Sequence, residues 1–357
     1  MALTPSPIRG EAWPAMSLSN GDGGKKAQIS SIDVRDSTPT LALPLHGGGS
    51  IKCAFVSTNS ITQGEQVGVL WGWMLAQGIK IHFAHRTFSW NNEARGKAAV
   101  HCVIIGFGLQ DVADKTIYEY DDIKGEPHAV KAANINPYLV DALDVILPSR
   151  TNPISSVPPI VFGSMANDGG HLLLNDIEKV ALLKECPQAQ KWIRPFLGAD
   201  EFINNRSRWC LWLADCPPED LRAMPSVLLR IDAVKSHRNA SSRPTTIQLA
   251  STPTLFGEIR QLETSYLLIP AHSSERRPII PIGFLSPGVI VGNANLCVPN
   301  AGIYHFGVMT SRMHMAWVKH VCERIKSDYR YTNGVVYNNF PWPECRSDLQ
   351  IANSVGQ

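Results

Sequence analysis

The stretch "HFAHRTFSWNNEARGKAAVHCVIIGF" (82–107) decides the fold. Two apolar runs, each suited to a buried strand, flank a polar loop over 85–97 that carries Arg86, Phe88, Trp90 and Arg95. Working outward, "IKCAFVSTNS" (51–60) is a short apolar strand that opens into polar residues. "TQGEQVGVLWGWMLAQG" (62–78) follows as a helix. Thr62 and Glu65 have capping-box spacing, Val69, Trp73 and Ala76 share one face, and Gly78 ends it. "IKIHFAH" (79–85) and "AAVHCVIIGF" (98–107) are the next strands. Strand, helix, strand, loop, strand is the order found at one end of many α/β sheets.

Length and composition bound the rest. The chain has 357 residues, 44% hydrophobic and 18% charged, as in a globular protein of about two domains. No apolar run approaches the roughly 18 residues of a membrane span, and no signal pattern opens the chain. Eight scattered cysteines show no zinc spacing, so free thiols in a reducing cytoplasm are expected. The net charge of +2 is uneven: residues 1–190 hold 15 Lys+Arg against 18 Asp+Glu, and residues 191–346 hold 18 against 12. The C-terminal half is therefore the one expected to meet phosphates. Gly, Pro and Ser fill 18 of the first 49 positions, which read as disordered.

Beyond the strands, "INPYLVDALDVILPSR" (135–150) reads as a short helix, and the Pro/Gly-rich 152–174 marks a boundary. A helix at 175–186, presenting Asp176, Ile177, Val180 and Leu183, and a strand at 208–214 start a second unit. Residues 217–240 read as one amphipathic helix and 245–300 as irregular short strands. Residues 306–328 read as one long helix with Met309, Met313, Trp317, Val321 and Ile325 at i+4. His82, His85, His101 and His171 fit no triad order with Ser and Asp, and His314 has no metal partner. No catalytic and no metal-ligating residue is assigned.

Five strings carry a resemblance: "STNSITQGEQVGVLW" (57–71), "GIKIHFAHRTFSWNNEARGKAAVHCVIIGF" (78–107), "NPISSVPPIVFGSMANDGGHLLL" (152–174), "SERRPIIPIGFLSPGVIVGNA" (274–294) and "MHMAWVKHVCERIKSDYRYTNGVVYNNFPWPE" (313–344). In this order they resemble the MmeI-like type IIL restriction–modification enzymes, over about 51–345. The resemblance implies an adenine-N6 DNA methyltransferase that uses S-adenosylmethionine and acts on double-stranded DNA. The implied fold is α/β: a partial class I (Rossmann-like) methyltransferase sheet over 50–151, then an α+β target-recognition domain over 152–300. C-terminal helices over 301–345 and a tail over 346–357 complete it, with 1–49 outside the resemblance. The family's Gly-bearing cofactor loop and Asn-Pro-Pro-Phe tetrapeptide have no match here; "NPYL" (136–139) and "NPIS" (152–155) are not that tetrapeptide. The expectation is a C-terminal part, inactive alone, whose partner is the methyltransferase and nuclease portion. The rival readings are a non-catalytic specificity module working with a separate catalytic chain, and a decayed remnant.

A methyl group reaches adenine N6 only when the base leaves the stack, and a pocket for it wants aromatic faces. The loop implied to lie near that base makes Phe88 and Trp90 candidate stacking partners, and Arg86 and Arg95 candidate phosphate contacts. The alternative is a hairpin whose aromatics fold back onto the core. Asn59 and Gln63, at a strand's C-terminal edge, are candidate pocket and DNA contacts, with Ser60 and Thr62 as helix caps. For reading bases, Asn204, Asn205, Arg206 and Arg208 form one candidate cluster, and Ser274, Glu275, Arg276 and Arg277 a second. The alternative for each cluster is a solvated charged loop. Lys326 and Arg330 are candidate backbone contacts, while Tyr329, Tyr331, Phe340 and Trp342 are expected to pack.

Overall fold

A computed structural model of the protein describes residues 52–90, 100–325 and 327–344, all within one compact unit. Arg95, Lys326, the first 49 residues and the tail lie outside the described residues. No helix among the described residues is long and apolar enough to cross a membrane.

The opening stretch is the centre of a mixed sheet. Its strands are β1 (Lys52–Thr58), β2 (Lys80–Trp90), β3 (Val100–Gly108), β4 (Lys115–Glu119) and β5 (His128–Ala132), in the order β1-β3-β2-β4-β5. β3 runs antiparallel to both β1 and β2, so those two share a direction, and helix α1 (Gly64–Ala76) is the crossover between them. β4 lies parallel to β2, and β5 closes antiparallel to β4. Residues 85–90 of the loop expected over 85–97 belong to β2, which continues through Trp90, and the rest of it lies outside the described residues. β2 carries a bulge: between His85 and Phe88, it spends one residue more than β3 spends between Ile104 and Cys102. A bulge re-aims the side chains on it, here those of Arg86 and Thr87.

The helix expected over 62–78 starts later. A tight turn covers Asn59–Thr62, and Gln63 is the N-cap, so Thr62 and Glu65 form no capping box. The Thr62 hydroxyl donates instead to the Asn59 carbonyl at 2.9 Å. The buried face of α1 is Val67, Trp71 and Met74; Val69 and Trp73 of the expected face are exposed. Apolar residues on both sides offered two competing stripes, and the sheet took the other one.

Residues 135–150 are not helical. Asn136 accepts from the amides of Tyr138 and Val140, and Leu139 sits at φ 57°, a turn that forbids the first helical winding.

The second unit opens with β6 (Val161–Phe162), β7 (Leu173–Leu174) and α2 (Asp176–Glu185), the last held by an Asn175–Glu178 capping box. In α2 the buried residue is Leu182, whereas Ile177 and Val180 of the expected face are exposed. Next come β8 (Ile193–Leu197), α3 (Ala199–Asn204) and β9 (Trp209–Leu211). The helix expected over 217–240 is two, α4 (Pro218–Arg222) and α5 (Pro225–Asn239), because Pro225 lacks the donor a continuous helix needs. α6 (Pro244–Gln248) follows, then β10 (Tyr266–Pro270), β11 (His272–Ser273), β12 (Gly283–Leu285), β13 (Ile290–Val291) and β14 (Asn295–Pro299). Two four-stranded sheets result, β12-β10-β14-β6 and β13-β8-β9-β7. Near the end of α5 Arg238 is fully buried, its guanidinium donating to the carbonyls of Ala166, Asn167, Leu249, Thr252 and Leu255 at 2.7–3.0 Å. Those five acceptors replace water around the buried charge.

The helix expected over 306–328 is also broken. α7 (Ile303–Met309) and α8 (Arg312–Val321) meet at Ser311, whose hydroxyl caps α8 by accepting from the His314 amide at 3.1 Å. The chain then turns into a hairpin of β15 (Glu323–Ile325) and β16 (Asp328–Arg330), joined by β11. Met313 and Ile325 of the expected stripe are exposed; His314, Met315, Val318 and Val321 are buried. Tyr329, Tyr331, Phe340 and Trp342 are buried packing residues, as expected. The main core joins Trp71, Ile105 and Phe107 of the first sheet to Leu267 and Val298 of the second unit and to Tyr331 and Phe340 of the C-terminal segment.

That C-terminal segment is sewn to the chain leaving the first sheet. The Asn339 amide donates to the carbonyls of Pro148 (2.9 Å), Gly334 (2.9 Å) and Val335 (3.2 Å), and its oxygen accepts from Arg150 Nε at 2.8 Å. Asn338 Nδ2 donates to the Arg150 carbonyl and the Tyr337 hydroxyl to the Pro158 carbonyl, each at 2.7 Å. Gly334 approaches so closely that a Cβ there would sit 2.3 Å from the Ser149 hydroxyl.

Two expected outcomes follow. Asn339→Leu removes donors from the Pro148, Gly334 and Val335 carbonyls and the acceptor of Arg150 Nε, and is expected to cost about 2 kcal/mol; urea denaturation with an unchanged slope measures it. His314 is buried, with Nε2 3.0 Å from the Tyr331 hydroxyl and Nδ1 unpartnered, and burial pushes its pKa down to about 4. The unfolded chain therefore binds this proton more readily than the folded one, so stability rises with pH. This contribution is complete above the ordinary histidine range and is lost as pH falls from about 6.5 towards 4, roughly 2 kcal/mol of it by pH 5. Urea midpoints measured across that range are expected to fall, and His314→Gln to flatten the fall.

Candidate nucleic-acid interface

Where the first sheet's strands meet the C-terminal hairpin, a hollow of about 350 Å³ opens. That is the lower end of the ~300–1,000 Å³ usual for small-molecule sites. The turn after β1 places Asn59, Thr62 and Gln63 on it, and the β2 bulge adds Arg86 and Thr87. Glu119 and Tyr120 come from the end of β4, and Lys319, His320, Arg324 and Glu275 close the far side. Chain positions more than 250 residues apart thus share one wall.

The charges are mixed and mostly paired. Arg86 meets Glu119 at 2.9 Å, both about a third exposed, and Arg324 stands 3.8 Å from Glu275. His320 is held below its ordinary pKa, first by burial and then by Arg86, Arg324 and Lys319 around it. Lys319 is exposed and in no ion pair among the described residues. Asn59 Nδ2 donates to the Thr87 hydroxyl at 3.4 Å. The Gln63 side-chain oxygen is buried with no hydrogen-bond partner. An acceptor left so costs about 1–3 kcal/mol, and Gln63 is one of the residues that line the hollow.

Phe88 and Trp90 stand behind this hollow rather than on it. Phe88 stacks on Tyr120 with centroids 5.4 Å apart and planes at 21°, and Trp90 leans on Phe88 at 6.1 Å. Phe88 is half-buried and Trp90 is 46% exposed, so neither is folded into the core. Tyr120 lines the hollow, as do His101, Tyr138 and His320, and its hydroxyl lies 2.8 Å from His85 Nδ1. His85 in turn stacks on Tyr118 at 4.2 Å.

The four candidates of the second unit are brought together, beside a separate hollow of about 320 Å³. Asn204 and Asn205 end α3, Asn205 at φ 51°, and Arg206 and Arg208 follow. Their partners are internal: Arg206 pairs with Asp200 at 2.8 Å, Arg208 with Glu201 at 3.1 Å, and Asn204 donates to Asp200 at 2.6 Å. Of the second candidate cluster, Glu275 reaches the first hollow, while Ser274 receives the amides of Arg276 and Arg277. Arg276 is exposed, and Arg330 is paired with Glu323 at 3.2 Å. Sequence reasoning missed Tyr120, Lys319, His320 and Arg324. Lys319 and His320 end α8, where cations suit a helix C-terminus, so their charge reads as capping until the fold is known.

The profile of the family described as MmeI, target recognition domain, matches residues 141–344. That of MmeI, DNA-methyltransferase domain, matches residues 26–119, beginning within the segment the sequence reading left outside the resemblance. DNA methyltransferase A of Bacillus subtilis (strain 168) is 41% identical over 293 residues, 82% of this chain and 33% of that protein. The type IIL restriction–modification enzyme MmeI, solved in complex with DNA, superposes with a TM-score of 0.80 at 53% identity, over 85% of this chain and 40% of the other. The chain spans two fifths or less of either relative. It belongs to the MmeI family of type IIL restriction–modification DNA methyltransferases, and carries residues of both the methyltransferase domain and the target recognition domain.

Proposed function

We propose that this chain is the DNA-recognising part of an adenine-N6, S-adenosylmethionine-dependent methyltransferase, and that it holds an extruded base without methylating it alone. One observation supports the reading: Gln63, whose side-chain oxygen is buried and unpartnered, lines a base-sized hollow together with Asn59 and Arg86. Adenine presents an N6 amino donor, and Gln or Asn is the side chain that pairs with adenine. In this reading Gln63 accepts from that amine, Asn59 orients the neighbouring polar wall, and the Tyr120 face takes the ring, backed by Phe88 and Trp90. Lys319 and Arg324 meet the phosphates flanking the base, and Arg276 meets the duplex further on. Arg206 and Arg208 become base readers only by exchanging Asp200 and Glu201 for base edges.

In this reading S-adenosylmethionine is held outside this chain, since the Gly-bearing cofactor loop and the Asn-Pro-Pro-Phe tetrapeptide have no match in its sequence, and no transfer step is assigned to it. A specificity module working with a separate catalytic chain shares the same DNA contacts.

The test is duplex binding and methylation with the purified chain. Selection from a random-sequence duplex pool is expected to enrich one site, with a log–log salt slope steeper than about −2 and shallower by about 0.9 in Lys319→Ala. No tritiated methyl incorporation is expected from the chain alone. Gln63→Leu is expected to leave stability equal or higher by about 1 kcal/mol, since it removes an unmet acceptor, while weakening binding to the selected site about tenfold. Loss of stability with unchanged binding contradicts the assignment.

A further inference from the structure

Tyr120 lines the hollow from a position that the sheet does not hold. β4 ends at Glu119, so the ladder that fixes this strand stops one residue short of it. The turn it opens is tied back to β2 further along, where the Ser89 amide donates to the Ile123 carbonyl at 2.6 Å. That bond leaves the tilt of the Tyr120 ring to its side-chain contacts. Phe88 stacks on it at 5.4 Å, and its hydroxyl is hydrogen-bonded to His85 Nδ1 at 2.8 Å. His85 is far better anchored. Its backbone lies within the sheet, opposite Ile104 of β3 on one side and Tyr118 of β4 on the other. Its ring lies flat on that of Tyr118, 4.2 Å away with planes at 9°. The bulge begins directly after it, so Arg86 and Thr87 line the hollow and His85 stands behind them.

We propose that His85 is a positioning residue for the extruded base: it fixes the tilt of the Tyr120 ring through the phenolic hydroxyl and does not touch the base itself. This rests on the function proposed above. The chemistry of an imidazole suits the task. Its flat face is covered by Tyr118, which locks the ring, and a nitrogen at its edge is left to reach the hydroxyl. Phenylalanine at 85 would keep the stack and lose the bond. A contact group held by a neighbour on a rigid strand is set before its ligand arrives. A side chain that must instead be ordered during binding lowers the population of the bound state about two- to tenfold. The bond from His85 removes that loss at the one ring of the hollow that stands on a turn just past β4 and stacks on Phe88.

The experiment uses the full chain and reads both the base and the ring. The base is read by the fluorescence of 2-aminopurine at the adenine of the selected duplex, with protein in excess. The ring is read by the fluorine resonance of Tyr120 in chain labelled with 3-fluorotyrosine, assigned by its loss in Tyr120→Phe. His85→Phe is expected to shift and broaden that resonance in the free chain, and to cut the 2-aminopurine rise about fivefold. Tyr120→Phe is expected to cut the rise equally, and the double substitution no further, since the same bond is lost in all of them. The urea midpoint of His85→Phe is expected to hold, because the stack on Tyr118 is kept, and the salt slope of duplex binding to stay the same. A rise that survives His85→Phe would overturn the inference, as would losses that multiply in the double variant. A smaller rise matched by a lower urea midpoint would overturn it too, by making His85 a support of the fold alone. No rise in the unsubstituted chain, with the Tyr120 resonance still answering to His85→Phe, would instead defeat the functional proposal and leave the hold on Tyr120 standing.

Discussion

The side-chain amide of Asn339 is the constraint on which the arrangement depends. Its hydrogens satisfy carbonyls at Pro148, Gly334 and Val335, and its oxygen holds the Arg150 guanidinium. A buried amide with every group met is rigid, because each alternative leaves a polar atom dry. The segment after β16 is thereby locked to the segment that leaves the first sheet. α8 and its hairpin follow, bringing Lys319, His320 and Arg324 to the hollow at the end of β2 and β4, and β11, paired with β16, leads to Glu275 beside them. Without that clasp the hollow at Gln63 would have one wall.

The second determinant is local. The β2 bulge separates two jobs that a regular strand could not. His85 and Phe88 lie in one aromatic stack with Tyr118 and Tyr120, while Arg86 and Thr87 are turned to the polar hollow. The stack stiffens the wall, and the paired Arg86 and Glu119 keep the hollow close to neutral until a charged partner arrives. In the second unit the buried Arg238 plays the comparable structural part, drawing the 166–167 and 249–255 stretches onto α5. It has no access to a ligand.

Much of the fold was legible in the residues. The apolar runs around 82–107 and the helix before them read correctly as strands and crossover, since their periods are unmistakable. What failed did so for physical reasons. The two faces of α1 are equally apolar, so composition alone could not say which the sheet would bury. Pro225 and Ser311 interrupt stretches whose apolar spacing continues through the break. The helix expected at 135–150 lost to a turn built by Asn136. In the candidate site, Asn59, Gln63, Arg86 and Glu275 were named from the sequence and lie on one hollow. Tyr120 and Lys319 were not, because only the fold brings a β4 turn and a distant helix end together. Phe88 and Trp90, named for stacking, do not line that hollow, whereas Tyr120, on which Phe88 stacks, does.

The central claim is that the Gln63 hollow receives a base drawn out of the duplex. Fluorescence of 2-aminopurine placed at the adenine of the selected site reads this directly, since unstacking relieves its quenching. A several-fold rise on binding the chain, reduced by Gln63→Leu, is the predicted result. Tight, site-selective binding with no change in that fluorescence would contradict it.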